Sequence, residues 1–224
     1  MRINLPAIIE NYQTIILDCD GVIFDSNRFK NKAFAEVLLS NKFSRSQVAT
    51  FIDYHKRNGG ISRYAKFEFF QREIVKQPFN EVLHQSMLHE FADQCRVQYL
   101  SSSFTEGFVP LIQQLHQHRK HIFIASGSDE EELRYVFSQR NFHHYFNAIY
   151  GSPKPKEEII KSILTDHPNC LFVGDSIIDL AIARTLAIDF LALKGYSDNP
   201  DELEKLAIEC SYPILNRFSE IGFE

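Results

Sequence analysis

The chain has 224 residues, of which 44% are hydrophobic, enough to bury one sizeable core and a smaller additional one. Its 24 Lys and Arg against 29 Asp and Glu give a net charge of −5, which argues against a general nucleic-acid-binding protein. A small anionic substrate is not excluded, because a local pocket can be positive on an acidic protein. The four cysteines have no CxxC spacing, and the sequence has neither a signal-peptide pattern nor a run of about 18 apolar residues. We therefore expect a cytoplasmic protein with reduced thiols that binds no membrane.

The first predicted strand is followed directly by acidic residues, in the segment TIILDCDGVIFDS at 14–26. Its apolar, β-branched start at 14–17 is typical of a strand buried in a parallel sheet. Asp18 and Asp20 lie two positions apart, so both side chains point the same way at the carboxyl end of the strand. Crowded carboxylates repel each other and lose solvation, and they usually persist because a cation or a reaction uses them. A strand that simply runs into an acidic turn is the alternative interpretation.

Residues 27–103 are predicted to be helical throughout. Asn27 is expected to cap the first helix, and further helices are predicted at about 44–57, 62–76 and 79–100. Such a long helical insertion after one strand indicates a separate domain with its own small core. We therefore predict a helical domain at 27–103 and a second domain formed by 1–26 and 104–224.

From residue 105 onward, helices and strands alternate. The pattern predicts strands at 121–125, 148–150, 170–173 and 189–193, with helices at 107–119, from 129, and at 157–164, 178–186 and 200–208. This alternation predicts an α/β fold with a doubly wound parallel sheet. In such sheets, ligands bind beyond the carboxyl ends of the strands.

Reactive side chains follow four of the predicted strands. One carboxylate there could attack phosphorus, and a second could exchange protons with the leaving group and with water. The acidic cluster favours Mg²⁺, whereas a hydroxyl, backbone N–H groups and a lysine could bind phosphoryl oxygens. The sequence thus predicts a phosphoryl-transfer site. Its members are Asp18 and Asp20, Ser126 and the following Gly127, Lys154 or Lys156, and Asp175 with Asp179.

These four motifs together resemble the haloacid dehalogenase superfamily, in its capped phosphatase branch, which includes phosphoglycolate phosphatase and β-phosphoglucomutase-like members. The matching segments are DxDGV at 18–22, a strand-terminal Ser126, the lysine region SPKPKEEII, and GDSxxD at 174–179. The insertion at 27–103 lies where members with an α-helical cap carry it. The resemblance implies a Rossmann-like core with an inserted helical cap domain.

The resemblance also implies a role for each matching residue. Asp18 would be the nucleophile and a metal ligand, and Asp20 the general acid and base, with its main-chain carbonyl on Mg²⁺. Asp175 would be the third protein ligand, and Asp179 a ligand through water or a support for the metal. Ser126 would hold the phosphoryl group.

The site lysine has two candidates. Lys154 fits a KPx pattern common in capped phosphatases, and Lys156 fits the spacing of other members, GSPxxKxE. We favour Lys156, and the other lysine would then be a solvated residue at a helix start.

The segment YHKRNGGISRYAK at 54–66 surrounds two glycines with polar and cationic residues. One interpretation is a solvated helix end. The other is a specificity loop that closes over the site and whose cations meet the anionic remainder of the substrate. The candidate substrate contacts are Asn27, Lys56, Arg63 and Lys66.

The sequence as a whole predicts a Mg²⁺-dependent phosphomonoesterase acting on a small phosphorylated metabolite, of the sugar phosphate or sugar-acid phosphate type. A phosphomutase with the same site is one alternative. A non-catalytic binding module is another, although its expected signature, loss of Asp18 or Asp20, is absent. The oligomeric state is not predicted.

Overall fold

The structure, a computed structural model, describes residues 4–222. Within this range lie six β-strands and ten α-helices. The strands are β1 (Thr14–Leu17), β2 (His121–Asp129), β3 (Ala148–Ser152), β4 (Cys170–Gly174), β5 (Asp189–Leu193) and β6 (Ile214–Leu215). The helices are α1 (Leu5–Asn11), α2 (Asn27–Ser40), α3 (Arg45–Arg57), α4 (Arg63–Phe69), α5 (Glu81–Ser101), α6 (Phe108–Gln117), α7 (Glu130–Gln139), α8 (Lys156–Asp166), α9 (Ile177–Leu186) and α10 (Pro200–Glu209).

The six strands form one parallel sheet in the order β3-β2-β1-β4-β5-β6. β1 is central, and its last residue, Leu17, lies opposite Ile124 of β2 and Val173 of β4. The residues that follow these three strands therefore meet at one edge of the sheet. The prediction of a Rossmann-like doubly wound sheet with inserted helices is confirmed.

Helices cover both faces of the sheet. Because side chains alternate along a strand, Ile15 and Leu17 of β1 join one core with α6 and α7. Ile16 joins a second core with α8, α9 and α10 on the opposite face. Burial on both faces explains why the three residues 15–17 of β1 are all apolar.

We call residues 27–103 the cap segment; its described structure contains α2 to α5 and no strand. Its interior is aromatic: the ring of Phe34 stacks on Phe91 at a centroid distance of 4.0 Å and meets Phe67 edge-on at 5.3 Å. The predicted helix at 62–76 is split, because α4 continues as a π-helical turn, Phe70–Ile74. The other three predicted helices of this segment are present, with ends shifted by a few residues.

The chain enters and leaves the cap segment through two adjacent backbone stretches. The N–H of Asp25 donates to the carbonyl of Ser103 at 3.1 Å, and the N–H of Thr105 donates to the carbonyl of Ile23 at 2.9 Å. Phe24 and Phe104 form an antiparallel bridge between these bonds. The two chain connections between the core and the cap segment thus run side by side and are hydrogen-bonded to each other.

Several details differ from the sequence-based expectations. β2 runs on to Asp129, and neither α1 nor β6 was predicted. The expectation that Asn27 caps the first helix is wrong, because Ser26 is the N-cap and Asn27 is the first helical residue. Its amide instead donates to a carboxylate oxygen of Asp175 at 2.7 Å, a stronger acceptor than a neutral group. None of the helices in the described range is both long and apolar enough to span a membrane.

Candidate active site

Three carboxylates converge at the edge of the sheet where β1 and β4 end. Asp18 follows β1, Asp175 follows β4, and Asp179 lies in the first turn of α9. One oxygen of each lies within 4.8 Å of the others, and all three side chains are buried. The hydroxyl of Ser176 donates to Asp179 at 2.7 Å as part of a capping box that fixes this carboxylate. The adjacent strand ends thus build a compact acidic site.

Lys156, the first residue of α8, lies inside this acidic cluster. Its Nζ is 2.6 Å from Asp179 and 3.0 Å from Asp18, and the side chain is buried. Burial alone would lower the pKa of Lys156, but the charges of Asp179 and Asp18 outweigh it and raise the pKa. The structure brings Lys156 into the cluster and leaves Lys154 exposed.

The acidic cluster remains electrostatically crowded despite this lysine. Burial, with the charges of Asp179 and Asp20, raises the pKa of Asp18 to about 7, although Lys156 partly offsets the rise. Burial, with the charges of Asp18 and Asp179, also raises the pKa of Asp175 well above its ordinary value. Crowded buried carboxylates are stabilised by a cation, and carboxylate oxygens are the ligands that Mg²⁺ prefers. The donor set therefore fits a magnesium ion.

Asp20 points into a different set of contacts. It accepts hydrogen bonds from Ser26 and Tyr99 at 2.5 Å each, from Lys30 at 2.6 Å, and from Ser128 at 2.7 Å. Burial opposes its charge, but Lys30 and the hydrogen bonds outweigh burial and lower the pKa of Asp20 to about 2. The carboxylate is therefore held in one orientation, in its ionised form.

None of these four partners, Ser26, Lys30, Tyr99 and Ser128, was predicted. Lys30 lies on the face of α2 that buries Phe34 and Val37, and Tyr99 continues the buried stripe of α5. A lysine within an apolar helical stripe is the sequence signal that could have identified Lys30.

The predicted phosphate-binding turn lies at the end of β2. Ser126 is fully buried, and its hydroxyl accepts a hydrogen bond from the N–H of Ser128 at 3.1 Å. Gly127 and Ser128 line the central cavity, whose other walls include the acidic cluster and the cap segment. The turn therefore presents a glycine backbone and a hydroxyl to this cavity.

The cap segment closes the cavity from above. A Cβ on Gly127 would overlap the carbonyl of Gly60, which lies between α3 and α4. A Cβ on Gly60 itself would lie 3.1 Å from the Nζ of Lys156, and the φ of Gly60 is +86°. Only residues without a side chain allow this approach. The cavity between the cap segment and the core has a volume of about 50 Å³.

The predicted cap residues differ in their surroundings. Asn27 reaches the acidic cluster through Asp175, as described above, and also donates to the carbonyl of Tyr196 at 2.9 Å. Lys56 is half-buried at the cavity wall, and its carbonyl accepts a hydrogen bond from Asn199 at 2.5 Å. Both residues thus tie the cap segment to the core.

Arg63 forms an ion pair across the cap and core boundary. Its guanidinium lies 2.6 Å from Glu132 and 3.6 Å from Asp129, both on the core side. The hydroxyl of the neighbouring Tyr64 donates to Asp129 at 2.7 Å. The positive charge of Arg63 is therefore balanced by carboxylates within the protein.

Lys66 is buried as well, and its Nζ lies 2.7 Å from the Nδ1 of His55. Both side chains line the same cavity as Asp18 and Asp20.

Solved structures with the same fold are similar over nearly the whole chain. A β-phosphoglucomutase from Clostridium difficile has a TM-score of 0.74 at 17% identity, covering 95% of this chain and 94% of that chain. CbbY from Rhodobacter sphaeroides, in complex with xylulose-(1,5)bisphosphate, has a TM-score of 0.74 at 15% identity, with coverages of 95% and 97%. A predicted phosphoglycolate phosphatase from Haemophilus somnus has a TM-score of 0.72 at 13% identity, with coverages of 94% and 96%. These similarities establish a shared fold.

A search among curated proteins found no significant sequence match. The family model of the haloacid dehalogenase-like hydrolases, in contrast, matches residues 12–186. This range contains the acidic cluster, Lys156 and the whole cap segment, and it confirms the prediction that the chain is an enzyme. The chain belongs to the haloacid dehalogenase-like hydrolases.

Proposed function

We propose that the protein is a Mg²⁺-dependent phosphatase that hydrolyses a small phosphorylated metabolite, of the sugar phosphate or sugar-acid phosphate type, through an aspartyl-phosphate intermediate. The observation that carries this proposal is the buried cluster of Asp18, Asp175 and Asp179 around Lys156. This cluster combines a carboxylate oxygen that can act as nucleophile, further carboxylates that can bind a metal cation, and the positive charge of a lysine. Phosphoryl transfer needs this combination of positioning and charge neutralisation.

Mg²⁺ bound by Asp18, Asp175 and the main-chain carbonyl of Asp20 would supply positive charge next to the phosphoryl oxygens. Asp179 would support the site directly or through water. The side chain of Asp18 keeps one oxygen on the N–H of Cys19 at 2.7 Å, which fixes the carboxylate.

In the first step, the Asp18 oxygen that faces Lys156 attacks phosphorus and the ester P–O bond breaks. The departing oxygen takes a proton from Asp20, acting as general acid. Lys156, the Ser126 hydroxyl and the backbone at Gly127 would bind the phosphoryl oxygens during the transfer. Because four groups hold the Asp20 carboxylate in this closed form, substrate binding must replace some of these contacts before Asp20 can carry a proton.

In the second step, a water molecule attacks the phosphorus of the aspartyl phosphate while Asp20 accepts its proton. The bond between phosphorus and the Asp18 oxygen breaks, which releases phosphate and restores the carboxylate. Residues 27–103 would act as a cap domain that opens for substrate and product. The cavity beneath it, of about 50 Å³, is smaller than the roughly 150 Å³ cavity that holds one benzene molecule, so a substrate fits only when the cap moves away from the core.

The test is phosphate release from an aryl phosphate and from a panel of small phosphomonoesters, measured with Mg²⁺ and with EDTA. We expect release that depends on Mg²⁺ and that falls by at least about 10³-fold in Asp18→Asn. Circular dichroism and thermal melting of the variant would control for folding. Release that persists in a folded Asp18→Asn protein would contradict the mechanism.

A phosphomutase is the second candidate. It is favoured by the close approach of Gly60 in the cap segment to Gly127 in the core, because a cap that lies against the core limits the access of water to the site. The two functions differ in their products. A mutase converts a sugar phosphate into its isomer with little net phosphate release, and phosphorus NMR of the reaction mixture separates the two outcomes.

A further inference from the structure

Lys66 is a buried cation with no carboxylate partner among the described residues. It lies on α4, is 2% exposed and faces the central cavity. In the part of the chain that the structure describes, no carboxylate oxygen lies within 4.0 Å of its Nζ. Its hydrogen-bond partner is a histidine nitrogen, Nδ1 of His55.

Three other buried cations in or beside the cavity are paired with carboxylates of the described residues. Lys30 contacts Asp20 at 2.6 Å, Arg63 contacts Glu132 at 2.6 Å, and Lys156 contacts Asp179 at 2.6 Å. Lys66 is the exception among these side chains. A buried charge without a counter-charge is costly, so its presence calls for a reason.

The surroundings of Lys66 increase this cost. Burial, followed by the charge of Lys30, lowers the pKa of Lys66 to about 7. Two cations, Lys30 and Lys156, lower the pKa of Lys66, and two acids beyond ion-pair distance, Asp20 and Asp198, raise it. The acids do not offset the combined effect of burial and the two cations. An anion placed at Lys66 would supply the missing counter-charge.

His55 fixes the direction of the Lys66 side chain. It is buried on α3, and burial together with the charge of Lys66 lowers the pKa of His55 well below its ordinary value. The ring is therefore neutral, and its Nδ1 accepts one hydrogen bond from Lys66 at 2.7 Å. The remaining N–H donors of Lys66 are available to a ligand in the cavity.

We propose that Lys66 binds a second anionic group of the substrate, so that the enzyme acts on small phosphomonoesters that also carry a carboxylate or a second phosphate. The proposal rests on the proposed function, because it assumes that the phosphoryl group occupies the cluster around Asp18. Carboxylate and phosphate share the chemistry of anionic oxygens that accept hydrogen bonds from an ammonium group. The binding experiment distinguishes between them.

The probes come in sets of three compounds of equal chain length, each with a phosphate ester at one end. Within a set, the other end carries a hydroxyl, a carboxylate or a second phosphate. Sets with chains of two, three and four carbons are compared. Dissociation constants are measured by calorimetry in EDTA, where no turnover is required, and kcat/KM is measured with Mg²⁺. The proteins are the wild type, Lys66→Met, Lys66→Arg and the control Lys32→Met, whose lysine lies on the same cap segment but is 76% exposed.

We expect the wild type and Lys32→Met to bind one anion-bearing probe about 10- to 100-fold more tightly than the hydroxyl probe. Which probe is preferred, the carboxylate or the bisphosphate, identifies the anion. Lys66→Met should lose this preference while it binds the hydroxyl probe as the wild type does, and Lys66→Arg should keep part of it.

Equal affinities of the wild type for all three ends, including affinities too weak to measure, would overturn the proposal. An equal loss for every probe in Lys66→Met would also overturn it, because Lys66 would then act on the fold or the phosphoryl site. A preference that depends on Lys66 in EDTA, without phosphate release in Mg²⁺, would support the anion subsite and contradict the phosphatase function instead.

Discussion

The two walls of the cavity differ in how their charges are balanced. On the core wall, Lys156 lies between Asp18 and Asp179. Asp20 is held by Ser26 and Ser128 of the core and by Lys30 and Tyr99, which reach it from the cap segment. On the cap wall, Lys66 lies beside the neutral ring of His55, and its Nζ is 5.9 Å from the centre of the Phe34 ring. Among the described residues, no carboxylate oxygen lies within 4.0 Å of this Nζ. The core wall is therefore pre-organised without substrate, whereas the cap wall lacks one negative charge. This difference separates a part of the site that performs chemistry from a part that selects its ligand.

The largest effect should come from the core wall, in Lys156→Met. Removal of this cation leaves Asp18 and Asp179 buried without it, so we expect phosphate release to fall by about 10²- to 10³-fold and stability by about 3 to 5 kcal/mol. Activity assays and urea unfolding measure the two effects. Lys154→Met is the matched control, because this lysine is exposed and should change stability by less than about 0.5 kcal/mol. A larger loss of activity in Lys154→Met would identify Lys154 as the lysine of the site.

An intermediate effect should come from the boundary between the walls, in Glu132→Gln. The substitution removes the closest acidic partner of Arg63, at 2.6 Å, and should weaken the closed position of the cap segment. We expect KM to rise by about 10-fold, because part of the free energy of substrate binding is then needed to close the cap segment over the core. Hydrogen exchange of residues 44–75 should accelerate.

The control for this experiment is Glu131→Gln, since Glu131 is the neighbouring residue on α7 and is exposed. Equal KM values and equal exchange in both variants would show that the ion pair does not contribute to closure.

The smallest effect, and one of opposite sign, should appear on the cap wall in Lys66→Met. The pKa of Lys66 is about 7 in the folded protein and near 10.5 in the unfolded chain. Between these values the unfolded chain holds the additional proton, so wild-type stability rises with pH, and the cost of the buried charge is fully present below pH 7.

We therefore expect Lys66→Met to be more stable than the wild type by about 1 to 2 kcal/mol at pH 6, with a difference that shrinks toward pH 10. Urea unfolding at a series of pH values measures it. A variant that is less stable than the wild type at pH 6 would show that Lys66 has a counter-charge within the fold, and the contrast between the walls would disappear.

The sequence predicted the core wall far better than the cap wall, for a physical reason. Asp18, Asp175 and Lys156 were predicted to lie close together because each follows a strand or starts the next helix, and a parallel sheet aligns those positions. Their proximity thus depends on local pattern and one rule of topology.

The contacts of the cap wall depend on packing between distant helices. Tyr99 reaches Asp20 across 79 residues, and Arg63 reaches Glu132 on another element. No local pattern states which helix face meets which carboxylate. For the same reason, Arg63 and Lys66 were predicted as equivalent cations of one loop. In the described part of the chain, Arg63 has an acidic partner and Lys66 has none.

The short elements show another limit. β6 has two residues, too few for a periodic pattern, whereas α1 carried a usable signal in Asn4 as N-cap with Pro6 in the first turn.

The attachment of the cap segment has a consequence for how such a protein can change. Asp25 and Ser103 are hydrogen-bonded neighbours, so the two ends of the insertion leave the core side by side. Their distance from each other is the same as across a short turn and does not depend on what lies between them. Insertions are tolerated where the two ends lie side by side, so the segment could be lengthened, shortened or exchanged without separating the strands of the sheet. A lineage could then acquire a new ligand preference by replacing one contiguous stretch of its gene, while the residues that break and form bonds to phosphorus stay where they are.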